Sequence, residues 1–332
     1  MNLIITVVLA LVLTYLLVKA ARRLKVPVIV AMIVAGLLLD SPGIKTHIIQ
    51  PNIDIIFSLG DIGLLSLMFL AGLEASWRKL YSEKKDAVLI TAFSAAVPFF
   101  MGFTVFYMGG YPMVTAAIVG ICLSISAEAT TAALFLEINK IKSRVGSAII
   151  EAGLFDDIFG FGLFILVTYL FKEIYFREDL LMAAAILMFF AGIVVKEKFI
   201  KRNSTVRDVK DLLYFSIIPF FFISIGILFE WSSLTINPWL LGSVIVLAIT
   251  GKLAGALMLK PFTDFSWKQL HLIGWAMNSR GAIELALAMI ALRTGLLEVE
   301  LYSSIVIMAL FTTLIFPFIV TYMVRRYPKI MD

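Results

Sequence analysis

Charged residues are scarce in this chain of 332 residues, where they make up 15% of the sequence, whereas a soluble domain has about 25%. Hydrophobic residues make up 61%. This composition excludes an ordinary soluble enzyme and indicates a polytopic membrane protein, because each helix that crosses a bilayer needs about 20 mostly apolar residues. The formal net charge of +5 is typical of cytoplasmic loops, so no nucleic-acid partner is predicted.

Cysteine and histidine are nearly absent as well. The single cysteine, Cys122, cannot form an internal disulfide, and His47 and His271 are too far apart for a zinc motif. We therefore predict no resident cofactor. The segment from Met1 to Val18 lacks a basic start and a small-residue cleavage site, which indicates a retained membrane span and not a signal peptide.

Eleven apolar stretches follow one another along the chain. Their approximate bounds are 2–18, 26–40, 56–74, 87–108, 112–136, 145–171, 180–195, 211–229, 238–259, 269–292 and 299–324. A bilayer admits only helices and closed barrels, and these stretches lack the alternation of barrel strands. The sequence therefore predicts an all-α membrane protein with about eleven transmembrane helices.

Basic residues lie mostly in alternate loops, and this asymmetry predicts the orientation. Loops on one side carry 22 of the 28 lysines and arginines, and loops on the other side carry four. The positive-inside rule then places the N-terminus outside and the C-terminus in the cytoplasm of a cell-membrane protein. The two remaining basic residues, Lys252 and Arg280, fall inside predicted spans.

A weak internal repeat suggests how the spans are arranged. Gly72 in the third span and Gly226 in the eighth are 154 residues apart, as are Gly120 and Gly274. This offset predicts two five-helix repeats, at about 26–171 and 180–325. An odd number of helices in each repeat makes the second one inverted, which is typical of transporters with a substrate site near the midplane.

Seven ionisable residues lie deep within the predicted spans, where each charge is costly and a functional or paired role is expected. They are Glu128, Glu151, Asp156, Asp157, Lys252, Arg280 and Glu284. Their acidic excess favours a pathway for cations or protons over one for anions.

The adjacent aspartates Asp156 and Asp157 in the sixth span form the most specific of these signals. They lie about 18 to 20 Å from the cytoplasmic end of that span. Burial and mutual repulsion make full ionisation of both carboxylates unfavourable, so that a proton and a metal cation compete for the same oxygens. We therefore expect a Na⁺ or proton site there, and an adjacent pair that titrates as a coupled unit.

Lys252 in the ninth span is predicted at a similar depth. A buried lysine needs an anionic partner or loses its proton, so an ion pair with one of the two aspartates is the simplest expectation. A static pair that only orients the helices is the alternative.

The fifth and tenth spans contain polar segments that predict broken, crossing helices. Ser126, Glu128 and Thr130 lie in the first segment, and Ser279, Arg280 and Gly281 lie in the second, at matching positions of the repeat. Ends of half-helices at membrane depth present carbonyls to cations and amides to anions. We expect Ser126 and Thr130 to line the ion site, and Glu128 and Arg280 to neutralise the broken ends.

Glu151 and Glu284 are assigned mainly structural roles. Glu151 lies five residues before Asp156 and faces a different neighbour, for which Arg280 is one candidate. Glu284 follows Arg280 by four residues, so a salt bridge within one helix is expected.

These motifs resemble those of the monovalent cation:proton antiporter-2 family, which includes the NapA-like and NhaA-like sodium/proton exchangers. Leu67–Glu74 resembles the family's LFLxGLE segment, and Phe220–Ile227 resembles its FFxSxG segment. The Asp156 and Asp157 pair is similar to the double aspartate of its electrogenic branch, and Lys252 to the lysine that accompanies it.

The resemblance implies roles for these residues. Asp157 binds the cation or proton, and Asp156 pairs with Lys252. Sodium or lithium is exchanged for more than one proton by alternating access, so the substrates are Na⁺ or Li⁺ and H⁺. The resemblance also implies a homodimer in membrane lipid, with a core domain of spans 3–6 and 8–11 moving against a dimer domain of the remaining spans.

Other functions stay open at this point. The same machinery suits exchange of potassium for protons, or electroneutral exchange, and a passive cation channel is a more distant alternative. An intramembrane aspartyl protease needs two carboxylates on different helices, whereas Asp156 and Asp157 are adjacent on one. We therefore predict a transporter and not an enzyme.

Overall fold

The regular structure of the described residues is helical throughout. A computed structural model describes residues 3–24, 26–74, 85–170, 176–199 and 203–332. Its helices of ten residues or more are α1 (Leu3–Leu24), α2 (Val28–Leu39), α3 (Ile53–Glu74), α4 (Lys85–Met108), α5 (Met113–Ser124), α6 (Glu128–Glu137), α7 (Arg144–Leu170), α8 (Phe176–Phe199), α9 (Asn203–Ser216), α10 (Ile218–Ile227), α11 (Pro238–Leu257), α12 (Trp267–Ala276), α13 (Ala282–Arg293) and α14 (Val299–Arg326). Short helical turns lie between α2 and α3 and before α11.

Each of the eleven predicted stretches contains helix, so the prediction of an all-α protein is confirmed. Among the described residues, five helices are long and apolar enough to cross a membrane, and the pair α9 and α10, bent by 41°, makes a sixth candidate. That all eleven stretches cross the membrane stays a prediction.

Helix boundaries in the two halves match at the predicted offset. The helices α5 and α12 begin at Met113 and Trp267, and α6 and α13 begin at Glu128 and Ala282, so that each pair is 154 residues apart. By the same offset α4 corresponds to α11 and α7 to α14, within a few residues at their ends. The weak repeat in the sequence thus corresponds to repeated helix boundaries.

The contacts divide the chain into two groups of helices. The first unit comprises Met1–Arg78 and Ile174–Phe229, and the second comprises Lys79–Glu173 and Glu230–Asp332. The first contains α1 to α3 and α8 to α10, and the second contains α4 to α7 and α11 to α14. Each unit therefore combines equivalent helices from both halves of the sequence.

Glycines allow close helix packing in the first unit. A Cβ added to Gly226 on α10 would lie 2.5 Å from the Leu37 nitrogen on α2, and one added to Gly72 on α3 would lie 2.9 Å from the Phe189 carbonyl carbon on α8. Because real Cβ atoms essentially never approach that closely, these backbones meet only at glycine.

This packing groups α3 and α10 with α2 and α8, whereas the sequence-based division placed spans 3 and 8 among the core spans. Contacts alone do not test which helices move together. The division into a moving core and a dimer domain therefore stays a prediction.

The second unit packs around helices from both halves. Gly251 on α11 lies against Pro98 of α4, where an added Cβ would be 2.8 Å from the proline Cα. A buried apolar cluster within this unit includes Ile149 on α7, Ile273 on α12 and Phe316 on α14. These contacts join α4 to α11 and pack α7, α12 and α14 together.

Candidate functional site

Two helix breaks lie in the second unit, at the positions that the polar segments predicted. The first separates α5 from α6 at Ile125–Ala127, and the second separates α12 from α13 at Met277–Gly281. Ile125 and Ala127 have extended backbones, with ψ of 140° and 91°. Serine and asparagine favour such breaks because their side chains bond to nearby backbone in place of the helical ladder.

The two breaks are hydrogen-bonded to each other. The Ala127 amide donates to the Ser279 carbonyl over 2.9 Å, and the Ser279 hydroxyl lies 2.8 Å from the Ala127 carbonyl. The hydroxyls of Thr131 and Ser279 are 2.7 Å apart, and Thr131 also reaches the Ala276 carbonyl at 3.0 Å. These bonds satisfy buried backbone groups that the interrupted helices leave unpaired.

Lys252 lies fully buried on α11 and binds the first break. Its Nζ donates to the Ser124 carbonyl and to the Ser126 hydroxyl, the latter at 2.7 Å. The carboxylate Oδ2 of Asp156 is 3.4 Å from the same nitrogen. The ammonium therefore has three acceptors, one at the end of α5, one in the first break and one on α7.

Asp156 on α7 faces the same break. Its Oδ2 accepts a hydrogen bond of 2.7 Å from the Ser126 amide, whereas its Oδ1 has no hydrogen-bond partner among the described residues. The side chain is 1% exposed. A buried carboxylate oxygen without a donor is costly, and this one is available to accept a proton or a cation.

Arg280, from the second break, also binds the end of α5. Its Nη1 donates to the carbonyls of Cys122 and Ile125, at 3.0 and 2.7 Å. The same nitrogen is 3.7 Å from the carboxylate of Glu284, so the expected salt bridge is present, but it joins the second break to the first turn of α13 and does not lie within one helix. Arg280 and Lys252 together place two positive charges at the negative end of the α5 dipole.

One contact was not anticipated from the sequence. Thr313 on α14 accepts from the Arg280 amide at 3.2 Å and bonds to the Arg280 carbonyl at 3.3 Å. The only available signal was a pair of threonines, Thr312 and Thr313, in an otherwise apolar span. That signal is weak, because threonines in membrane helices commonly bond within their own helix.

The remaining predicted site residues are less closely connected to the site. Thr130 is half-buried in the first turn of α6. Glu151 is half-buried on α7, and one of its oxygens has no hydrogen-bond partner within the described residues. Among the described ion pairs, Arg280 pairs with Glu284 and none joins it to Glu151. The side chains of Asp157 and Glu128 lie outside the described part of the structure.

The arrangement brings together positive charges, an acidic side chain and backbone groups of the helix breaks inside a helical unit. Ends of broken helices at such a site coordinate ions in transporters. The Asp156 carboxylate there has one oxygen without a hydrogen-bond partner among the described residues, and it lies beside the buried Lys252 ammonium.

Comparisons with known proteins show which family the chain is similar to. Residues 7–188 and 163–326 match the transmembrane sodium/hydrogen exchanger family. The chain is 25% identical to a Na(+)/H(+) antiporter of Enterococcus hirae, with 92% of this chain and 94% of the relative covered. It is 24% identical to the Na(+)/H(+)-K(+) antiporter GerN of Bacillus cereus, with 93% of each covered.

A solved structure shows the same fold. The sodium proton antiporter MjNhaP1 from Methanocaldococcus jannaschii superposes with a TM-score of 0.65 over 98% of each chain, at 16% identity. The family matches confirm the resemblance that the motifs indicated, and the relatives are transporters. The chain therefore belongs to the sodium/hydrogen exchanger family, whose members are multi-pass membrane cation:proton antiporters.

Proposed function

We propose that this protein is a secondary active antiporter that exchanges Na⁺ or Li⁺ for H⁺ across the cell membrane, with net movement of charge. The observation that carries this proposal is the buried set of Lys252, Asp156 and the Ser126 amide at the first helix break. An aspartate held there keeps one oxygen unpartnered. That oxygen accepts either a proton or a cation, which is the competition that exchange requires.

The site residues take different roles in this proposal. Asp157, the neighbour of Asp156 on α7, binds the transported cation or proton together with the free oxygen of Asp156. Oxygens of Ser126 and Thr130 line the path at the break. Lys252, Arg280 and the acidic Glu128 and Glu151 balance the charge around it.

Alternating access is the transport mode that we propose, with two inverted repeats and a homodimer as its framework. The offset of 154 residues between equivalent helix starts supports the repeat. Spans 3–6 and 8–11 were assigned to the moving core from the sequence. We take the second unit, with α4 to α7 and α11 to α14, as the smallest part that moves together with the site.

Exchange of K⁺ for H⁺, or electroneutral exchange, is the second candidate. It is favoured by one observation, since the relative from Bacillus cereus is a Na(+)/H(+)-K(+) antiporter and matches over most of the chain. A passive cation channel is a more distant alternative, because a channel moves cations without obligatory movement of protons.

Reconstituted protein in liposomes tests the proposal. We expect Na⁺ or Li⁺ to dissipate a pH gradient in vesicles with wild-type protein, and Asp157→Asn to abolish this activity. The matched control is Asp86→Asn, since Asp86 is 30% exposed and pairs with Arg144 at a helix end.

Two further measurements separate the alternatives. Clamping the membrane potential with valinomycin and K⁺ accelerates electrogenic exchange and leaves electroneutral exchange unchanged. A protein that moves cations without protons is a channel. If no monovalent cation moves protons between about pH 6 and pH 9, the proposed exchange is wrong.

A further inference from the structure

The three residues of the first break are held largely by side chains from other helices. Lys252 donates a hydrogen bond to the Ser124 carbonyl just before the break, and Arg280 donates one to the Ile125 carbonyl. Asp156 accepts a hydrogen bond from the Ser126 amide. A backbone that leaves the helical pattern is therefore stabilised by the same charges that form the candidate site.

Ser126 is the residue where these contacts meet. Its amide donates to Asp156 over 2.7 Å, and its hydroxyl accepts from Lys252 over 2.7 Å. It is 2% exposed. The direct distance from the Lys252 ammonium to the Asp156 carboxylate is longer, at 3.4 Å. Each of the two charged groups is therefore closer to Ser126 than to the other charged group.

We propose that Ser126 is a positioning residue that holds the Lys252 ammonium against the end of α5, beside Asp156, and that its hydroxyl is not a ligand of the transported cation. This inference rests on the proposed antiport function. It revises the expectation from the sequence that the Ser126 hydroxyl lines the ion site as a cation ligand.

Electrostatic repulsion is the reason why the Ser126 hydroxyl, which positions Lys252, is not also a ligand of the transported cation. A cation bound to the Ser126 hydroxyl oxygen would lie within a few ångström of the Lys252 ammonium that already donates to the same atom. Like charges at that distance in a buried site repel strongly. The Oδ1 of Asp156, by contrast, accepts no hydrogen bond from the ammonium or from any other described group.

The hydroxyl is one of the three hydrogen-bond acceptors of the Lys252 ammonium. Asp156 on α7, and Arg280 and Glu284 at the start of α13, are the charged groups that act on the ammonium. The Ser126→Ala substitution leaves these charged groups unchanged and removes one of the three hydrogen-bond acceptors of the ammonium. We therefore expect the alkaline limit of exchange to move to lower pH by about one unit, the size expected for one hydrogen bond to a charged group.

The experiment measures Na⁺-driven proton movement in liposomes across pH and Na⁺ concentration for the wild type, Ser126→Ala and Ser126→Thr. We expect Ser126→Ala to shift the alkaline limit and to change the apparent KM for Na⁺ at the optimum by less than about twofold. Ser126→Thr restores the wild-type profile because it keeps the hydroxyl. The matched control is Ser94→Ala, which removes a buried hydroxyl without a hydrogen-bond partner among the described residues.

A second measurement covers variants that do not transport. Stabilisation of the protein by Na⁺ against thermal unfolding, followed across pH, reports cation binding without turnover, and we expect the same shift there.

Two results would overturn the inference. One is a rise of about tenfold in the KM for Na⁺ at every pH with an unmoved pH profile, which makes the hydroxyl a cation ligand. The other is no change in either quantity. If the wild type neither exchanges nor is stabilised by Na⁺, the proposed function fails instead, so the two failures are distinguishable.

Discussion

Lys252 shows how a charged residue is accommodated within a membrane helix. Gly251 precedes it and Gly255 follows three residues later, so α11 approaches α4 closely on both sides of the lysine. The ammonium then reaches one carboxylate, one carbonyl and one hydroxyl. A buried charge is tolerated when its hydrogen bonds are made and a counter-charge is near.

Replacing Asp156 by asparagine tests this account through stability. The change keeps an acceptor for the Ser126 amide but removes the counter-charge of Lys252, so we expect a loss of about 3 kcal/mol in the free energy of unfolding. Thermal unfolding is measured with a thiol-reactive dye, because the single cysteine, Cys122, is buried in the folded protein. Asp86→Asn breaks a partly exposed pair at 3.7 Å and should cost less than about 1 kcal/mol. Equal losses in the two variants contradict the account.

The broken helices are the elements that distinguish this fold from a simple bundle. Thr131 of α6 and Ser279 of the second break bond to each other, and each also bonds to a carbonyl of the opposite broken helix. This reciprocal contact fixes how the two broken helices meet. It lies beside the charges but contains none, so it stabilises the breaks through hydrogen bonds alone.

Thr131→Val and Ser279→Ala test that contact as a double-mutant cycle. Each single change leaves buried groups without partners and should cost about 1–3 kcal/mol, whereas the double change should cost less than the sum of the two. The readout is again thermal unfolding. As a control, Thr312→Val on α14 removes a hydroxyl whose bonds stay within its own helix, and we expect a smaller loss. Additive effects of Thr131→Val and Ser279→Ala would show that the two hydroxyls act independently.

In the molecule as a whole, neither half of the sequence forms a unit by itself. Each unit contains helices from both halves, and equivalent glycines such as Gly72 and Gly226 make close contacts in the first unit. Units that combine helices from both halves are what we expect of the two inverted repeats proposed above. The site lies within the second unit, where both broken helices are found.

Orientation in the membrane is a prediction for the whole chain. The excess of basic residues in alternate loops predicts a cytoplasmic C-terminus and an external loop between α4 and α5. Alkaline phosphatase, which is active only outside the cytoplasm, should be inactive when fused after Asp332 and active when fused after Tyr111. Green fluorescent protein should show the opposite pattern. The reverse result at both positions would invert the topology.

The sequence by itself determined the class of protein, the approximate positions of the helices and four buried charged residues, which are Asp156, Lys252, Arg280 and Glu284. Hydropathy and polar segments are local properties, so the stretches at 112–136 and 269–292 were predicted to break in the middle. The breaks lie there. The double aspartate and the offset of 154 residues were also readable, because motifs and repeats need no tertiary information.

Only the tertiary structure decided which groups meet. Lys252 and Asp156 are 96 residues apart, and Arg280 and the Cys122 carbonyl are 158 apart. The sequence proposed the first pair but gave no sign that Lys252 also binds Ser124 and Ser126, or that Thr313 holds the second break. Such contacts depend on the angles and distances at which helices pack, and those are set by glycines and side chains from several helices at once.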